Sequence, residues 1–379
     1  MTIHIKRGLR IIPLFFIALL VGVSSLCAQE VSMTINPDRT VVFRYADSTA
    51  KSVKLYCDGN IRKECTSVKG EGYHSAKMKR DKDGVWSYTT PPMVPEVYTY
   101  QFKTNGELFH DPTNPDSIRV HDSKRSFFII DGTPQTDLYT SDQLQGHLDT
   151  LQFQCPCEDK VRKIIVYTPP QYYESREEFP VFYLLHGLNG NECAWIDRGR
   201  AVQILDNLIQ QQKAKPMILV MPDGNPVCLI SQGEDVGLMQ NILLFGSWKK
   251  QEFEQCYPNM DAYLSSLYRF SHKDGSRAVA GLSAGARQSA NLANMYDSTF
   301  SHVGLFSPVI NGKQVPNSHY TEFWIGCGND DIFHPSINRF RNKMQRRHIP
   351  YTMYNSDGGH TWRNWRVYFT KYVQTLFWK

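Results

Sequence analysis

The chain has 379 residues, 41% hydrophobic and 21% charged, ordinary proportions for a globular protein with length for two domains. Its formal net charge is +5. Lys6, Arg7 and Arg10 are the only charged residues in positions 1–28, so without that segment the charge falls to +2. A surface so nearly balanced gives no electrostatic case for a nucleic-acid partner.

The first residues read as an export signal. Lys6, Arg7 and Arg10 precede the apolar run Ile11 to Val23, and Ser24, Ser25 and Ala28 lead to cleavage after Ala28. The run is short for a bilayer span. Cys27 is a candidate lipid-attachment site, but Leu26 before it is bulkier than such sites usually carry. The expectation is a secreted or periplasmic protein with no stable membrane span after cleavage of residues 1–28.

Residues 29–131 read as a small all-β module. Val41 to Tyr45, Ser52 to Tyr56, Val85 to Tyr88, Val97 to Lys103 and Ser126 to Ile130 are rich in β-branched and aromatic residues. Asp58-Gly59, Asp83-Gly84 and Asn105-Gly106 provide turns between them. The segment 132–146, rich in Thr, Asp and Gln, reads as a linker.

From 147 to 379 strands alternate with helices. Ile164 to Tyr167, Val181 to Leu185, Met217 to Met221, Ala278 to Ala280, Val303 to Phe306, Phe323 to Ile325 and Tyr351 to Tyr354 are short apolar runs. Their continuous hydrophobicity predicts parallel strands covered on both faces. Ala201 to Gln212 and Ala284 to Met295 are predicted helices.

Eight cysteines remain after cleavage: Cys57, Cys65, Cys155, Cys157, Cys193, Cys228, Cys256 and Cys327. Cys155-Pro156-Cys157 has no second pair and no nearby His at metal-finger spacing. The reading is buried thiols with room for one bridge, and neither a metal nor a cofactor.

Gly281-Leu282-Ser283-Ala284-Gly285 has the Gly-x-Ser-x-Gly pattern of a nucleophile elbow, between a strand-like run and an Ala-rich helix. Flanking glycines let a strained turn approach neighbouring backbone, and the helix start stabilises developing negative charge. A serine hydroxyl needs a base, and His360 lies in the loop Asp357-Gly358-Gly359-His360-Thr361-Trp362. Gly326 to Asp331 follows a strand and offers two acids, Asp330 and Asp331. Either gives the order serine, acid, histidine expected of an α/β-hydrolase. His186-Gly187-Leu188 also follows a strand, so the backbone N–H groups of Leu188 and Ala284 are the expected oxyanion donors. Trp195, Trp248, Trp362 and Trp365 lie in segments expected near the site, and the first three are candidate substrate contacts.

With these residues assembled, positions 145–379 resemble the esterase D family, which includes feruloyl and acetylxylan esterases of carbohydrate esterase family 1, siderophore esterases and mycolyltransferases. The likeness rests on Tyr183 to Gly187, Ala194-Trp195, Leu205 to Ile209, Lys215 to Ile218, Met221 to Gly224, Arg277 to Ser283 and Gly359 to Trp362. The resemblance implies that the acid occupies a Gly-x-x-Asp pattern, which Gly328 to Asp331 satisfies at Asp331. Residues 30–130 resemble the immunoglobulin-like module often fused ahead of such esterases. Ala284 and Ala286 stand where the family usually has Met and Gly, and Cys193 is unusual beside the oxyanion loop.

The resemblance implies an exported serine esterase with Ser283, Asp331 and His360 as triad, removing feruloyl or acetyl groups from plant cell-wall polysaccharide. A siderophore trilactone is the alternative substrate. A carbohydrate-binding protein with an inactive hydrolase domain is the reading from another class. A segment beginning near Gln145 is expected to carry the whole triad and to remain active on small esters.

Overall fold

The computed structural model describes residues 32–58, 74–120, 123–141, 144–157, 161–188, 190–225, 252–310, 314–316 and 320–378. The expected export segment, Cys27 and Trp248 lie outside the described residues.

The N-terminal part is built of short strands: β1 (Met33–Ile35), β2 (Val41–Ala46), β3 (Val53–Cys57), β4 (His74–Lys77) and β5 (Lys79–Arg80). They continue as β6 (Val85–Thr89), β7 (Glu96–Thr104), β8 (Glu107–Phe109), β9 (Ser117–Val120) and β10 (Ser123–Ile130). One sheet has the order β1-β2-β6-β5 and the other β4-β3-β7-β10-β9, with β8 on β7. Val41, Phe43 and Trp86 from the first pack with Val53, Leu55, Tyr100, Phe102 and Phe128 from the second. Asn105 and Gly106, at φ 51° and 92°, form the tight turn between β7 and β8. Positive φ at both positions matches strand twist, and these two residues tolerate it.

Strand β7 is buried on both sides from Glu96 to Phe102, a pattern a solvent-facing sheet does not show. One face, with Tyr98, Tyr100 and Phe102, fills the sandwich. From the other, Val97 joins the core of the C-terminal half.

Residues 132–146 are not a free linker. Leu138 and Tyr139 are buried in the core of the C-terminal half. The side chain of Asn207 donates to the carbonyls of Leu138 and Thr140. The Asp206 carboxylate accepts the N–H groups of Gln145 and Gly146 at 3.0 Å. Polar composition suggested a tether, but these polar groups are satisfied by a helix of the C-terminal half.

That half has a sheet ordered β11-β12-β14-β13-β15-β16-β17-β18. Its strands are β11 (His147–Gln154), β12 (Val161–Thr168), β13 (Val181–Leu185), β14 (Ile218–Pro222), β15 (Arg277–Leu282), β16 (His302–Phe306), β17 (Glu322–Gly328) and β18 (Thr352–Ser356). From β14 through β18 neighbours run parallel. The helices are α1 (Gln171–Glu174), α2 (Ala194–Asp197), α3 (Ala201–Gln210), α4 (Glu252–Leu267), α5 (Ala284–Met295), α6 (His334–Arg346) and α7 (Trp362–Val373). Two apolar clusters cover the two faces: α4, α5 and α6 contribute to one, α3 and α7 to the other. This is the α/β-hydrolase fold.

One strand expectation is corrected. The run Ile164 to Tyr167 pairs antiparallel with both β11 and β14, although its apolar content matches that of the parallel strands. Continuous burial reports two covered faces, not strand direction. The edge strand β11 was not anticipated, because its residues are mostly exposed or half-buried and lack an apolar run.

Candidate active site

The serine elbow follows from its strand. Residues 277–282 of β15 are buried between β13 and β16, and α5 begins at Ala284. Ser283 connects them at φ 54°, ψ −114°, a strained conformation of the kind concentrated at functional sites. It is held there by its own N–H, which donates to the Phe306 carbonyl at 2.8 Å. The Val309 N–H returns to the Ser283 carbonyl at 3.3 Å, and the Arg287 N–H reaches the same oxygen. Gly285 is required by crowding: a Cβ there would collide with the carbonyl oxygens of His186 and Leu185.

The candidate oxyanion side is the loop after β13. Its Gly187 carbonyl accepts from the Gly190 N–H at 3.0 Å and lies 2.7 Å from His186 Nδ1. His186 Nε2 accepts the Gly224 N–H at 3.0 Å, an arrangement that suits the tautomer with its proton on Nδ1, donated to Gly187. In a planar trans peptide the next N–H, that of Leu188, points away from this carbonyl. The Ala284 N–H lies in the first turn of α5, where N–H groups have no intrahelical partner. A Cβ on Gly187 would come 3.4 Å from Ser283 Cβ, so the two backbone segments meet at the serine.

Asp223, at the end of β14, sits 3.3 Å from His186 Nε2 through Oδ1. Burial alone would raise its carboxyl. The Asn225 N–H, donated to Oδ1 at 3.0 Å, works against that burial. The sequence reading gave Asp223 no role. Its signal was available as Pro222-Asp223-Gly224 at a strand end.

The candidate acid and the candidate base come from the next strand ends. Asp331 follows β17, with its side chain fully buried, and His360 follows β18 with 22% of its side chain exposed. His360 Nδ1 lies 3.1 Å from Asp331 Oδ2 and 3.3 Å from Oδ1. Burial would raise Asp331, but the hydrogen bond and charge of His360 and the Phe333 N–H keep it low. Asp330 is exposed, and its N–H donates to the Gly358 carbonyl at 2.9 Å. Asp331 is therefore the aspartate that reaches the histidine. Ser283, by contrast, makes no hydrogen bond to His360 among the described residues. Catalytic hydrogen bonds are often long before substrate binds.

Of the aromatic candidates, Trp195 is corrected. It is 1% exposed, and its indole N–H donates to the Leu185 carbonyl at 2.9 Å. It packs in the core against Phe306, Trp362 and Phe369. Trp362 is half-buried against Trp195 and Trp365, with the Arg198 guanidinium 5.2 Å over its ring. Trp365 is buried and edge-on to His360 at 4.9 Å, and Phe333 meets the same imidazole at 5.1 Å. Phe333 was not anticipated, since nothing in its local sequence sets it apart.

Cys155 and Cys256 form a disulfide joining the end of β11 to α4, and Cys157 Sγ is 2.9 Å from Cys155 Sγ. The three sulfurs could also group around a metal ion. Two of them are committed to the bridge.

Comparison with known proteins agrees with this architecture. Residues 158–325 match the family model described as "Putative esterase". An endo-1,4-beta-xylanase/feruloyl esterase of Xylanibacter ruminicola is 27% identical over 369 residues, covering 92% of this chain and 46% of that protein. The chain thus spans about half the length of this curated relative. A ferulic acid esterase of Anaeromyces mucronatus superposes with a TM-score of 0.52 at 21% identity, over 63% of this chain and 95% of that one. The enterobactin esterase of Shigella flexneri superposes with a TM-score of 0.59 at 16% identity, over 88% of this chain and 93% of that one. The chain is thus similar in sequence to a xylanase/feruloyl esterase and shares the α/β-hydrolase fold of these esterases.

Proposed function

We propose that the chain is an exported carboxylic-ester hydrolase that removes feruloyl or acetyl groups from plant cell-wall polysaccharide. The observation that carries this reading is the buried Asp331 carboxylate 3.1 Å from His360, at the same edge of the sheet as the strained Ser283 elbow. Ser283 attacks the ester carbonyl while His360 takes its proton, and Asp331 orients the imidazole and stabilises its charged form. The N–H groups of Leu188 and Ala284 receive the oxyanion. His360 returns the proton to the leaving sugar hydroxyl, and water then resolves the acyl-enzyme by the same steps in reverse. Trp362 offers an aromatic wall for a phenolic acyl group or a sugar ring. The β-module, proposed as immunoglobulin-like over residues 29–131, precedes the catalytic region 147–379.

The name of the Xylanibacter ruminicola relative favours feruloylated xylan as substrate class. The two-part layout shared with the enterobactin esterase keeps a siderophore trilactone as the second reading. Among the described residues no helix is long and apolar enough to cross a membrane. Product analysis on feruloylated xylan, acetylated xylan and a catechol trilactone tests the reading. Release of ferulate or acetate by the native chain, absent in Ser283→Ala, is expected. Turnover of the trilactone alone would overturn the substrate class, and full activity in Ser283→Ala would overturn the mechanism.

A further inference from the structure

The position of His360 depends on the helix that follows it. Thr361 caps α7 by accepting the Asn364 N–H, and the Asn364 side chain donates to the Gly359 carbonyl at 2.9 Å. Trp365, one turn along, packs edge-on to the imidazole. The first turns of α7 therefore hold both the loop and the ring.

Those turns are in turn held from the β-module. Glu96, the first residue of β7, places Oε1 2.8 Å from Arg366 Nη2 and Oε2 3.9 Å from Arg363 Nε. The Glu96 and Arg366 side chains are 8% and 4% exposed. Glu96 Oε1 also accepts the Val97 N–H at 2.8 Å, which fixes the carboxylate on its own strand. Arg366 continues the chain of contacts: Nη1 donates to the Arg198 carbonyl at 2.5 Å, and the guanidinium lies 5.3 Å over the Tyr139 ring. Arg198 closes α2, the helix that follows the oxyanion loop, and stacks over Trp362. One buried guanidinium thus joins the histidine helix, the oxyanion-side helix and the module.

A buried ion pair contributes little net stability compared with apolar residues of the same shape, but removing one partner leaves an uncompensated charge. What the pair supplies here is direction, because a guanidinium fork accepts only a narrow range of carboxylate positions. We propose that Glu96 is a positioning residue for His360, acting through Arg366 and Arg363 across the boundary between the two halves. This rests on the reading of His360 as general base. The β-module is then part of the catalytic apparatus, although none of its residues need touch substrate.

The test uses the full-length chain and the variants Glu96→Gln and Glu96→Asp. Glu107→Gln, an exposed carboxylate on β8, serves as control. Kinetics on methyl ferulate are measured well below each melting temperature, and deuterium uptake is followed in the peptide spanning Gly358 to Trp365. Misplacing a catalytic group by about 1 Å costs up to about 100-fold in rate. Glu96→Gln should accordingly lower kcat by about 10- to 100-fold with KM little changed. The same peptide should exchange faster, while Glu96→Asp retains part of kcat and Glu107→Gln matches the native chain. A folded Glu96→Gln with native kcat, or with native exchange in that peptide, would overturn the proposal. A fall in melting temperature alone would reduce Glu96 to a structural role and overturn it as well. If Glu96→Gln does not fold, the folded Glu96→Asp carries the test, and native kcat in that variant overturns the proposal. Absence of ester turnover in the native chain would instead overturn the reaction reading itself.

Discussion

Gly285, in the first turn of α5, lies directly against the His186 carbonyl at the end of β13: a Cβ on the glycine would collide with that oxygen, and would come 2.7 Å from the Leu185 carbonyl oxygen. The serine elbow and the oxyanion loop are therefore in backbone contact, and neither can move without the other. The carbonyls are backbone atoms of a buried strand end and have little room to give way. Gly285→Ala should destabilise the fold and lower kcat more than it raises KM. Thermal melting with steady-state kinetics checks this. A variant with native stability and native kcat would show that the elbow relaxes freely.

The two adjacent aspartates differ in surroundings. Asp331 is buried and contacts His360, while Asp330 faces solvent. Loss of the orienting aspartate costs about 10⁴ in kcat in the serine-protease triad. Asp331→Asn should accordingly lower kcat by about three to four orders of magnitude, and Asp330→Asn should have a much smaller effect. The opposite ranking in a side-by-side assay would transfer the role to Asp330.

The expectation that a chain beginning near Gln145 remains active is revised. Such a chain keeps Ser283, Asp331 and His360 but loses Glu96, Val97, Leu138 and Tyr139. Their removal uncovers apolar surface and leaves the Arg366 guanidinium without its carboxylate. The shortened chain should melt lower and turn over small esters more slowly than the full-length protein. A well-folded shortened chain with native kcat on a short nitrophenyl ester would contradict this.

His302 is the clearest source of acid sensitivity away from the site. It is buried on β16, edge-on to Phe377 at 5.1 Å, and burial pushes its imidazole down from 6.5 to about 4. Below about pH 6.5 the unfolded chain takes up a proton that the folded chain refuses, so stability falls from there to about pH 4. Asp331 acts at lower pH. Its folded value lies below that of the unfolded carboxylate, so its stabilisation is complete above about pH 4 and is lost as pH falls through the lowered value. Replacing His302 by Gln should flatten the melting-temperature profile between about pH 6.5 and pH 4. An unchanged slope in that window would assign the acid sensitivity elsewhere.

The sequence by itself determined the parts whose information is local. Gly281 to Gly285 needs small residues because a serine turn meets neighbouring backbone, and the apolar runs of β13, β15 and β16 need both faces covered. Those constraints are written in adjacent positions, and they located the serine, the histidine loop and the alternation of strands and helices. Tertiary structure decided what depends on residues far apart in the chain. Asp330 and Asp331 are chemically identical, and only the path of the chain after β17 turns one of them toward His360. Trp195 and Trp362 both read as substrate-facing aromatics, yet the packing of α2 on α7 buries the first and leaves the second half-open. The polar stretch 132–146 read as a tether because its partners, Asp206 and Asn207, lie 61 and 69 residues away in the chain. The Glu96 carboxylate has no local signal at all. Its meaning comes from Arg366, and burial of an opposite charge is a property of two surfaces meeting, which no single segment encodes.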